Sequence, residues 1–349
     1  MTTRYPQAMR APSRLLRSSL RAISVLAALL GPVVAAQAAT HVVCAEDGKQ
    51  SDCQFRGGSG IQQAVDAAAD GDTIQLRAGR YTASAFKDVP YKIHTIRGFV
   101  LIEGKNLTLL GEPGAILDGA TGTPTTAIVV HRAQVNIEEL AIDGFRFAEE
   151  EDEIYEGHGI FAIDSRVQLS NVTISRFQKM GLTGRGDTII DARNVRILDG
   201  HVAIWLHESA YLRLTNSLVR GNDGSAIAAY DRSVAHATNC VFDGNLDDGL
   251  YTEHEAAMYV TNSLLLRNKP YAVRALDRSR IWLAHSALFG NQANTKTKKR
   301  ALIQRGPNVI EMDPRVDGQY RLQPDSPLID RGDPDVRGNA GETVQAGLR

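Results

Sequence analysis

The sequence lacks three features that mark large classes of proteins. Neither charge is in marked excess, since 39 Lys and Arg residues stand against 40 Asp and Glu residues in a chain of 349. Beyond residue 38 there is no apolar run long enough to span a membrane. Cysteine is scarce, with three residues in the whole chain. The lack of a second apolar run predicts a soluble mature protein. Because nucleic-acid binding draws most of its affinity from neutralising phosphates, a chain without excess positive charge also predicts no nucleic-acid partner.

Residues 1–38 predict a secretory signal peptide. Residues 1–21 carry five arginines and no acid, the apolar stretch "AISVLAALLGPVVAA" follows, and Ala36-Gln37-Ala38 is a small-x-small cleavage site. Cleavage after Ala38 would change the formal net charge from −1 to −6, because the five arginines leave with the peptide. We therefore predict a secreted or periplasmic protein with no membrane contact after cleavage, an uncleaved anchor being the alternative.

The cysteines divide into a pair and a single residue. Cys44 and Cys53 lie nine residues apart in a polar segment, and in an exported protein this spacing predicts a disulfide that closes a loop within residues 39–58. Cys240 occupies an apolar position of the repeat described next, so we expect it to be a buried small hydrophobic residue.

One short phrase recurs through the second half of the chain. The asparagine of "LTNSLV" (214–219) has relatives at intervals of 22 or 23 residues. The series is Asn171, Asn194, Asn216, Asn239 and Asn262, and His285 follows one step later. Apolar residues stand four and two positions before each asparagine and three positions after it, with mostly polar residues between them. This alternation of period two predicts strands with one face in and one face out.

A second predicted strand follows each asparagine by about ten residues. The two strands are separated by short Gly, Asn and Asp turns such as "RGNDG" (220–224) and "DGNLDDG" (243–249), which are too short for crossover helices. A fixed period near 23 with such turns predicts a solenoid whose coils stack as parallel sheets. We expect the asparagines to form a ladder of side-chain hydrogen bonds at one bend, because equivalent residues on every coil indicate architecture rather than a binding site.

Two further segments carry a resemblance to a known family. The segment "IQQAVDAAADGDTIQLRAGRYT" (61–82) and the segment "DPRVDGQYRLQPDSPLIDRGD" (313–333), together with the asparagine series, resemble the pectin-lyase-like right-handed parallel β-helix superfamily. The resemblance implies an all-β fold: a single right-handed parallel β-helix over residues 59–333, with a capping helix at 61–69 and a tail at 334–349. We expect a monomer.

Functional residues of such a solenoid must point outward, and the second strand carries the denser outward cluster. Its members lie on adjacent coils, so the cluster spans roughly 20 Å along the axis, which suits an extended oligomer. The predicted catalytic residues are Arg185, His207, Tyr230 and Glu253. The predicted substrate-binding residues are Trp205, Asp231, Tyr251, His254 and Arg274.

These residue types are suited to acidic sugars. Trp205 and Tyr251 offer flat faces to sugar rings, and arginines offer paired donors to carboxylates. Removing the proton α to a uronate carboxylate needs a base and a positive charge or strong donor. His207 or Tyr230 would act as base or acid and Arg185 as the neutralising charge. The resemblance implies that the protein is a polysaccharide lyase or C5-epimerase acting on an acidic polysaccharide.

Other interpretations stay open. The fold also serves a non-catalytic module that binds glycan or helps assemble an exopolysaccharide, or a purely structural solenoid. A glycoside hydrolase is less favoured, because Asp247-Asp248 follows Gly157-His158-Gly159, the reverse of the polygalacturonase order, and the accompanying Arg-Ile-Lys is absent. The Asp-Pro-His-Asp motif of alginate epimerases is also missing.

Two charged segments flank the predicted groove. Six acids lie within 149–156, where calcium is a possible ligand although no ligand spacing is recognisable, and a solvated acidic loop is the simpler interpretation. The basic run "TKTKKR" (295–300) would either hold an acidic polymer or form an exposed loop.

Overall fold

The computed structural model describes residues 38–48, 50–119, 125–146 and 155–336. The predicted signal peptide up to residue 37, residues 149–154 of the acidic segment and residues 337–349 of the predicted tail lie outside the described residues. In the described part of the chain, no helix has both the length and the apolar composition needed to cross a membrane.

The described residues form a coil of three sheets, here named A, B and C, whose strands pair in parallel except for Lys87–Tyr91 with His94–Glu103 in sheet C. Sheet A consists of Phe55–Arg56, Thr40–Cys44, Thr73–Leu76, Asn106–Gly111, Gln134–Glu138, Arg166–Ser170, Ile189–Arg193, Tyr211–Thr215, Val234–Thr238, Ala257–Thr261, Arg280–Ala284 and Leu302–Arg305. Sheet B consists of Gly79–Thr82, Ala115–Asp118, Ala141–Asp143, Thr173–Ser175, Arg196–Leu198, Leu218–Arg220, Val241–Asp243, Leu264–Leu266 and Ala287–Phe289. Sheet C consists of Lys87–Tyr91, His94–Glu103, Thr126–His131, Ile160–Ile163, Met180–Arg185, Val202–Leu206, Ile227–Ala229, Leu250–Thr252, Tyr271–Ala275 and Ala293–Thr297. The predicted all-β solenoid of stacked parallel coils is confirmed.

Each regular coil contributes one strand to each sheet, which is one strand more than the sequence predicted. The predicted first strand is divided at its asparagine, as at Asn216, where φ is 52°. Asparagine adopts this left-handed conformation at low cost, and the chain turns there from sheet A into sheet B. All five asparagines of the series and His285 have positive φ, so the regular spacing marks a bend.

Side-chain hydrogen bonds join neighbouring members of this series in pairs. The amide of Asn194 donates to Asn171 at 3.1 Å, and the amide of Asn239 donates to Asn216 at 3.2 Å. Asn262 instead exchanges two hydrogen bonds with the backbone of Asp333, at 2.8 and 3.2 Å. The C-terminal segment therefore supplies the hydrogen-bond partners of the last asparagine in the series.

A second and more deeply buried ladder lies where the chain passes from sheet B to sheet C. It consists of Asn222, Asn245, Asn268 and Asn291, again 23 residues apart, and sequence reasoning missed it. The amides of the first three donate to the side-chain oxygen of the next residue, at 2.8, 2.9 and 3.1 Å. The same three amides also donate to backbone carbonyls, so each of these side chains ties two coils together at the turn.

The capping helix spans Gly57–Ala67, whereas the sequence predicted 61–69. Its buried face includes the predicted Ile61, Ala64 and Val65, which close the end of the core. The helix ends early because the Asp72 carboxylate accepts hydrogen bonds from the backbone of Ala69 and Ala39, which folds the chain into the next strand.

The predicted disulfide between Cys44 and Cys53 is confirmed, with a Cα–Cα distance of 5.7 Å. Cys44 lies on the strand Thr40–Cys44, which pairs with Thr73–Leu76, so sheet A already begins within the predicted N-terminal segment. Cys240 is a buried free thiol, as predicted.

Beyond the last strand, the chain crosses the outer face of sheet B. Leu328 packs there with Leu264, Leu266 and Ala287, and the hydroxyl of Tyr320 donates to Asp243 at 2.6 Å. Up to residue 336, this segment therefore covers sheet B in the C-terminal coils.

Candidate functional site

The outer edge of sheet C brings all nine predicted site residues into one chain of contacts. His207 and Tyr230 directly follow the strands Val202–Leu206 and Ile227–Ala229, which pair in parallel. Because the side chains follow equivalent positions of neighbouring coils, they stand about 4.8 Å apart along the axis. Burial differs greatly within the set, and it separates residues able to touch a ligand from residues that support them.

His207 is held in a defined orientation by Asp231. Its Nδ1 lies 3.2 Å from Asp231 Oδ2, its ring stacks on Tyr230 at 4.4 Å between centroids and 13° between planes, and its edge meets Trp205. Burial, followed by the nearby charge of Arg185, lowers the pKa of His207 to about 4 although Asp231 favours the charged form. The imidazole is therefore neutral at pH 7.

The unused nitrogen of His207 is the notable atom of the site. Burial opposes ionisation of Asp231, yet hydrogen bonds from the Glu208 backbone and from His207 keep the pKa of that carboxyl below its usual value. An ionised carboxylate only accepts, so Nδ1 carries the proton and Nε2 keeps its lone pair. Nε2 is buried and hydrogen-bonds to no group in the described residues, so it is an unpaired proton acceptor that lies below the surface.

Tyr230 has the complementary protonation state. Burial, followed by the carboxylates of Glu253, Asp247 and Asp248, raises the pKa of Tyr230 to about 12. The phenol is therefore a hydrogen-bond donor over the whole neutral range. The sequence did not indicate which of His207 and Tyr230 would be the base and which the acid. Their pKa values favour His207 as the base and Tyr230 as the acid.

The structure places Arg185 differently from the sequence-based interpretation. Its guanidinium is not an open neutralising charge, because Arg185 is 4% exposed. Nε donates to the Tyr91 hydroxyl at 3.0 Å, a terminal nitrogen donates to Glu208 at 3.1 Å, and the group lies 4.7 Å from the Trp205 ring. Arg185 is thus a buried support, and sequence alternation showed that it points outward but not what covers it.

The two aromatic residues predicted to hold sugar rings are also largely covered. Trp205 is 6% exposed and Tyr251 is 8% exposed. Arg185 lies over the first ring and Arg274 lies 4.8 Å from the second. In this arrangement their faces pack against guanidinium groups, and the predicted role of the two rings as open platforms is corrected to one of supporting the site.

Sequence reasoning missed two residues of the hairpin Lys87–Glu103. Tyr91 receives the hydrogen bond of Arg185, and Lys92 Nζ lies 2.6 Å from Glu208 Oε1. These residues lie more than 90 positions before their partners and outside the 23-residue repeat, so no period in the sequence indicated them.

At the other end of the cluster, Tyr251, Glu253 and Arg274 form a second group of contacts. The Tyr251 hydroxyl donates to Glu253 at 2.7 Å, and Arg274 Nε lies 2.5 Å from Asp248 Oδ2. Asp248 is fully buried, and burial raises its pKa to about 7 in spite of Arg274. Sequence reasoning considered this carboxyl for hydrolysis alone and did not include it in the predicted site.

His254 connects the site to a solvent-facing hollow. Its Nδ1 lies 3.1 Å from Asp231 Oδ1, so one carboxylate contacts both histidines. The hollow measures about 350 Å³ and is lined by His254, Asp277, Arg278, Lys299 and Arg300. Lys299 and Arg300 belong to the basic run 295–300, which therefore borders the predicted groove.

The hollow does not match the ligand requirements of calcium. Ligand atoms of Glu253, His254 and Asp277 lie within 4.8 Å of one another. Calcium takes six to eight oxygen ligands, whereas this group includes a histidine nitrogen, and the Lys299 ammonium already pairs with Asp277. The acidic segment in which a calcium site was suggested lies largely outside the described residues.

Comparisons with known proteins agree with the fold. A family model described as a right-handed β-helix region matches residues 126–288. The crystal structure of pectate lyase Pel9A superposes with a TM-score of 0.51 and 11% identity, over 88% of this chain and 96% of that chain. An alginate lyase from Paenibacillus sp. str. FPU-7 superposes with a TM-score of 0.47 and 15% identity, over 75% of this chain and 99% of that chain. Pectin methylesterase from carrot superposes with a TM-score of 0.43 and 13% identity, over 82% of this chain and 86% of that chain. No curated protein matches the sequence, and the likeness at these identities extends to the fold alone.

Proposed function

We propose that this chain, which has the fold of a right-handed parallel β-helix, is an exported lyase or C5-epimerase acting on a uronate-containing polysaccharide. The observation that carries the proposal is the unpaired Nε2 of His207, which is buried beside the phenol of Tyr230, so the proposal requires the uronate to displace the side chains that cover this nitrogen. A neutral base and a neutral acid in contact are what proton transfer at a sugar carbon requires.

The proposed reaction begins with removal of the proton on C5, which is α to the uronate carboxylate. His207 Nε2 accepts that proton, and Asp231 stabilises the imidazolium that forms through the Nδ1 hydrogen bond. In a lyase the electron pair then forms the C4–C5 double bond as the C4–O bond breaks, and Tyr230 protonates the departing oxygen. In an epimerase C5 instead takes a proton on its opposite face.

The low pKa of His207 has two opposite effects on this mechanism. A weak base removes a weakly acidic proton slowly, so the positive charge around the uronate carboxylate must supply much of the stabilisation of the enediolate. The benefit is that the imidazole stays neutral in mildly acidic surroundings, down to about its pKa of 4. We therefore expect activity to persist well below pH 6.

The groove in this proposal runs along the outer edge of sheet C. Glu208, Asp231, His254 and Asp277 occupy this edge on successive coils, and all four have positive φ. The hollow beside His254 has Arg278, Lys299 and Arg300 on its wall. Arg278 pairs with Glu255 and Lys299 with Asp277, so in this proposal the two cations share their charge between these carboxylates and those of neighbouring sugars.

A second candidate function is a glycan-binding or exopolysaccharide-assembly module without turnover. It is favoured by the covered faces of Trp205 and Tyr251 and by the internal pairing of Arg185 and Arg274, since many charged groups of the cluster already satisfy one another. This candidate predicts binding of uronate polymers with no chemical change in them.

The test is a panel of uronate polymers, with and without calcium, read by the ultraviolet absorbance of unsaturated uronates and by NMR for epimerisation. We expect His207→Ala and Tyr230→Phe to lower kcat at least a hundredfold, the lower end of the range for general acid–base groups. His236 and Tyr259 provide a matched control, because they form a similar stacked pair (4.7 Å, 17°) on sheet A.

The outcomes separate the two candidates. His236→Ala and Tyr259→Phe should retain wild-type turnover. If the wild-type protein gives neither signal on any polymer of the panel but still binds one, the module without turnover is correct and the enzymatic proposal fails. Equal turnover by His207→Ala and wild type would remove the assigned base.

A further inference from the structure

The hairpin Lys87–Glu103 packs on the outer face of sheet C at the N-terminal side of the site. Its strands Lys87–Tyr91 and His94–Glu103 pair antiparallel, and Val89 and Ile96 pack against Phe161 and Val129. The turn at its tip is formed by Lys92, with φ of 55°, and by Ile93, which is 93% exposed. The hairpin therefore presents its tip to solvent while its strands are fixed on the coil.

The carboxylate of Glu208 holds the tip in place. Oε1 lies 2.6 Å from Lys92 Nζ and 3.1 Å from a terminal nitrogen of Arg185, and Oε2 accepts the backbone N–H of Gly186 at 3.0 Å. Two cations thus share one carboxylate. Arg185 is buried, whereas the side chain of Lys92 is 53% exposed, so Lys92 is the member of this group that solvent and ligands reach.

This group adjoins the catalytic pair directly. Glu208 follows His207 in the chain, and its backbone N–H donates at 2.9 Å to Asp231 Oδ2, the same oxygen that holds His207 Nδ1. The exposed ammonium and the proposed base are consequently fixed to one short segment, with Asp231 and Glu208 between them. A sugar whose C5 proton faces His207 has its carboxylate attached to that same carbon.

We propose that Lys92 binds the carboxylate of the uronate whose C5 proton His207 removes, and that it thereby selects free uronates over their methyl esters. The inference rests on the proposed function and moves the neutralising role from Arg185 to the hairpin tip. Lys92 and Arg185 share the carboxylate of Glu208. An entering uronate therefore gives the Lys92 ammonium a second, charge-assisted hydrogen-bond partner. A methyl ester carries no charge, so it offers no such gain.

Lys87 provides the matched control. It lies on the same hairpin and is similarly exposed, but it pairs with Asp66 of the capping helix and not with Glu208. Lys92→Ala, Lys92→Arg and Lys87→Ala are compared with wild type by steady-state kinetics on polygalacturonate and alginate oligomers and on their methyl esters. Thermal unfolding of each variant confirms that the hairpin change leaves the coil folded.

We expect Lys92→Ala to raise KM for the free acid about tenfold or more, the usual effect of one hydrogen bond to a charged group. Lys92→Arg should recover most of the loss, Lys87→Ala should match wild type, and the preference for free acid over ester should shrink in Lys92→Ala. The salt dependence of KM should also weaken, because one charge contact is gone.

Failure of this inference is distinguishable from failure of the proposed function. If wild type turns over uronates while Lys92→Ala and Lys87→Ala behave alike, Lys92 does not bind the carboxylate and the proposed function stands. If wild type neither binds nor converts any uronate oligomer, both fall. Should Lys92→Ala unfold, the comparison of Lys92→Arg with Lys92→Gln on free acid and ester decides between charge and structure.

Discussion

The pKa of His207 can be measured without knowing the substrate, and it tests the electrostatics on which the proposed base depends. Burial and the charge of Arg185 lower this pKa from 6.5 to about 4. The folded protein therefore binds a proton at His207 less readily than the unfolded chain does. Stability from this group is fully present above pH 6.5 and is lost as the pH falls toward 4.

The magnitude follows from the two pKa values. Between pH 7 and pH 5 the unfolded histidine becomes mostly charged while the folded one stays neutral, which lowers the free energy of unfolding by about 2 kcal/mol. His207→Gln removes this contribution. The loss of stability from pH 7 to pH 5, measured by urea denaturation, should therefore be about 2 kcal/mol smaller in the variant than in wild type.

The direct assay is an NMR titration of the imidazole signals, with His207 assigned from its absence in His207→Gln. We expect the His207 signal to stay at its neutral position down to about pH 5. Asp231→Asn should lower the pKa further, because the carboxylate favours the imidazolium. A His207 that titrates at 6.5 or above, or a pKa that rises in Asp231→Asn, would refute the reasoning.

Two further predictions concern stability. In urea denaturation, Asn268→Ala should lower the free energy of unfolding by about 3 kcal/mol, because it leaves buried partners on both neighbouring coils unsatisfied. Asn194→Gly should lower it by about 1 kcal/mol or less in the same experiment, because glycine tolerates the positive φ of this exposed bend. Arg274→Met should destabilise the protein more at pH 8 than at pH 5. Without Arg274, Asp248 is an unpaired buried carboxylate at pH 8 and a neutral acid at pH 5. Equal losses of unfolding free energy at both pH values would show that the ion pair does not contribute to stability.

The repeat made most of the fold predictable from sequence. A period of 22 or 23 residues with polar and apolar alternation allows few arrangements, and the asparagines marked a bend. The number of strands per coil was wrong although the sequence carried a signal: the inward positions Leu212 and Leu214 are two residues apart, but Leu214 and Val219 are five apart, so the alternation changes phase at Asn216. Such a change of phase is what a bend between two strands produces.

The buried ladder at Asn222, Asn245, Asn268 and Asn291 was predictable and was missed. These residues recur at the same interval as the first series and follow a turn residue in three of four cases, as in "RGN", "DGN" and "FGN". Because these asparagines stand in turns rich in Gly, Asn and Asp, they resemble ordinary turn residues. What distinguishes the series physically is the complete burial of Asn222, Asn245 and Asn268, which composition does not reveal.

The candidate site was predictable only in part. The period correctly gathered His207, Tyr230 and Asp231 on one edge, because equivalent positions of a solenoid must lie side by side. It could not give the burial of Arg185 or the approach of Lys92, since both depend on the hairpin, which is an insertion without a period. Outward direction and accessibility are separate properties, and the sequence pattern reports the first.

The contact between Lys92 and Glu208 has a consequence for how the protein is made. The two residues are 116 positions apart, so the hairpin leaves the ribosome long before its anchoring carboxylate does. Coils can stack one after another as the chain lengthens, and Tyr91 can meet Phe161 and Arg185 early, but Lys92 lacks its Glu208 partner until residue 208 has been synthesised. A chain truncated before residue 208 would contain the whole hairpin without this ion pair, so the wall of the proposed groove is completed from the middle of the chain and not from its beginning.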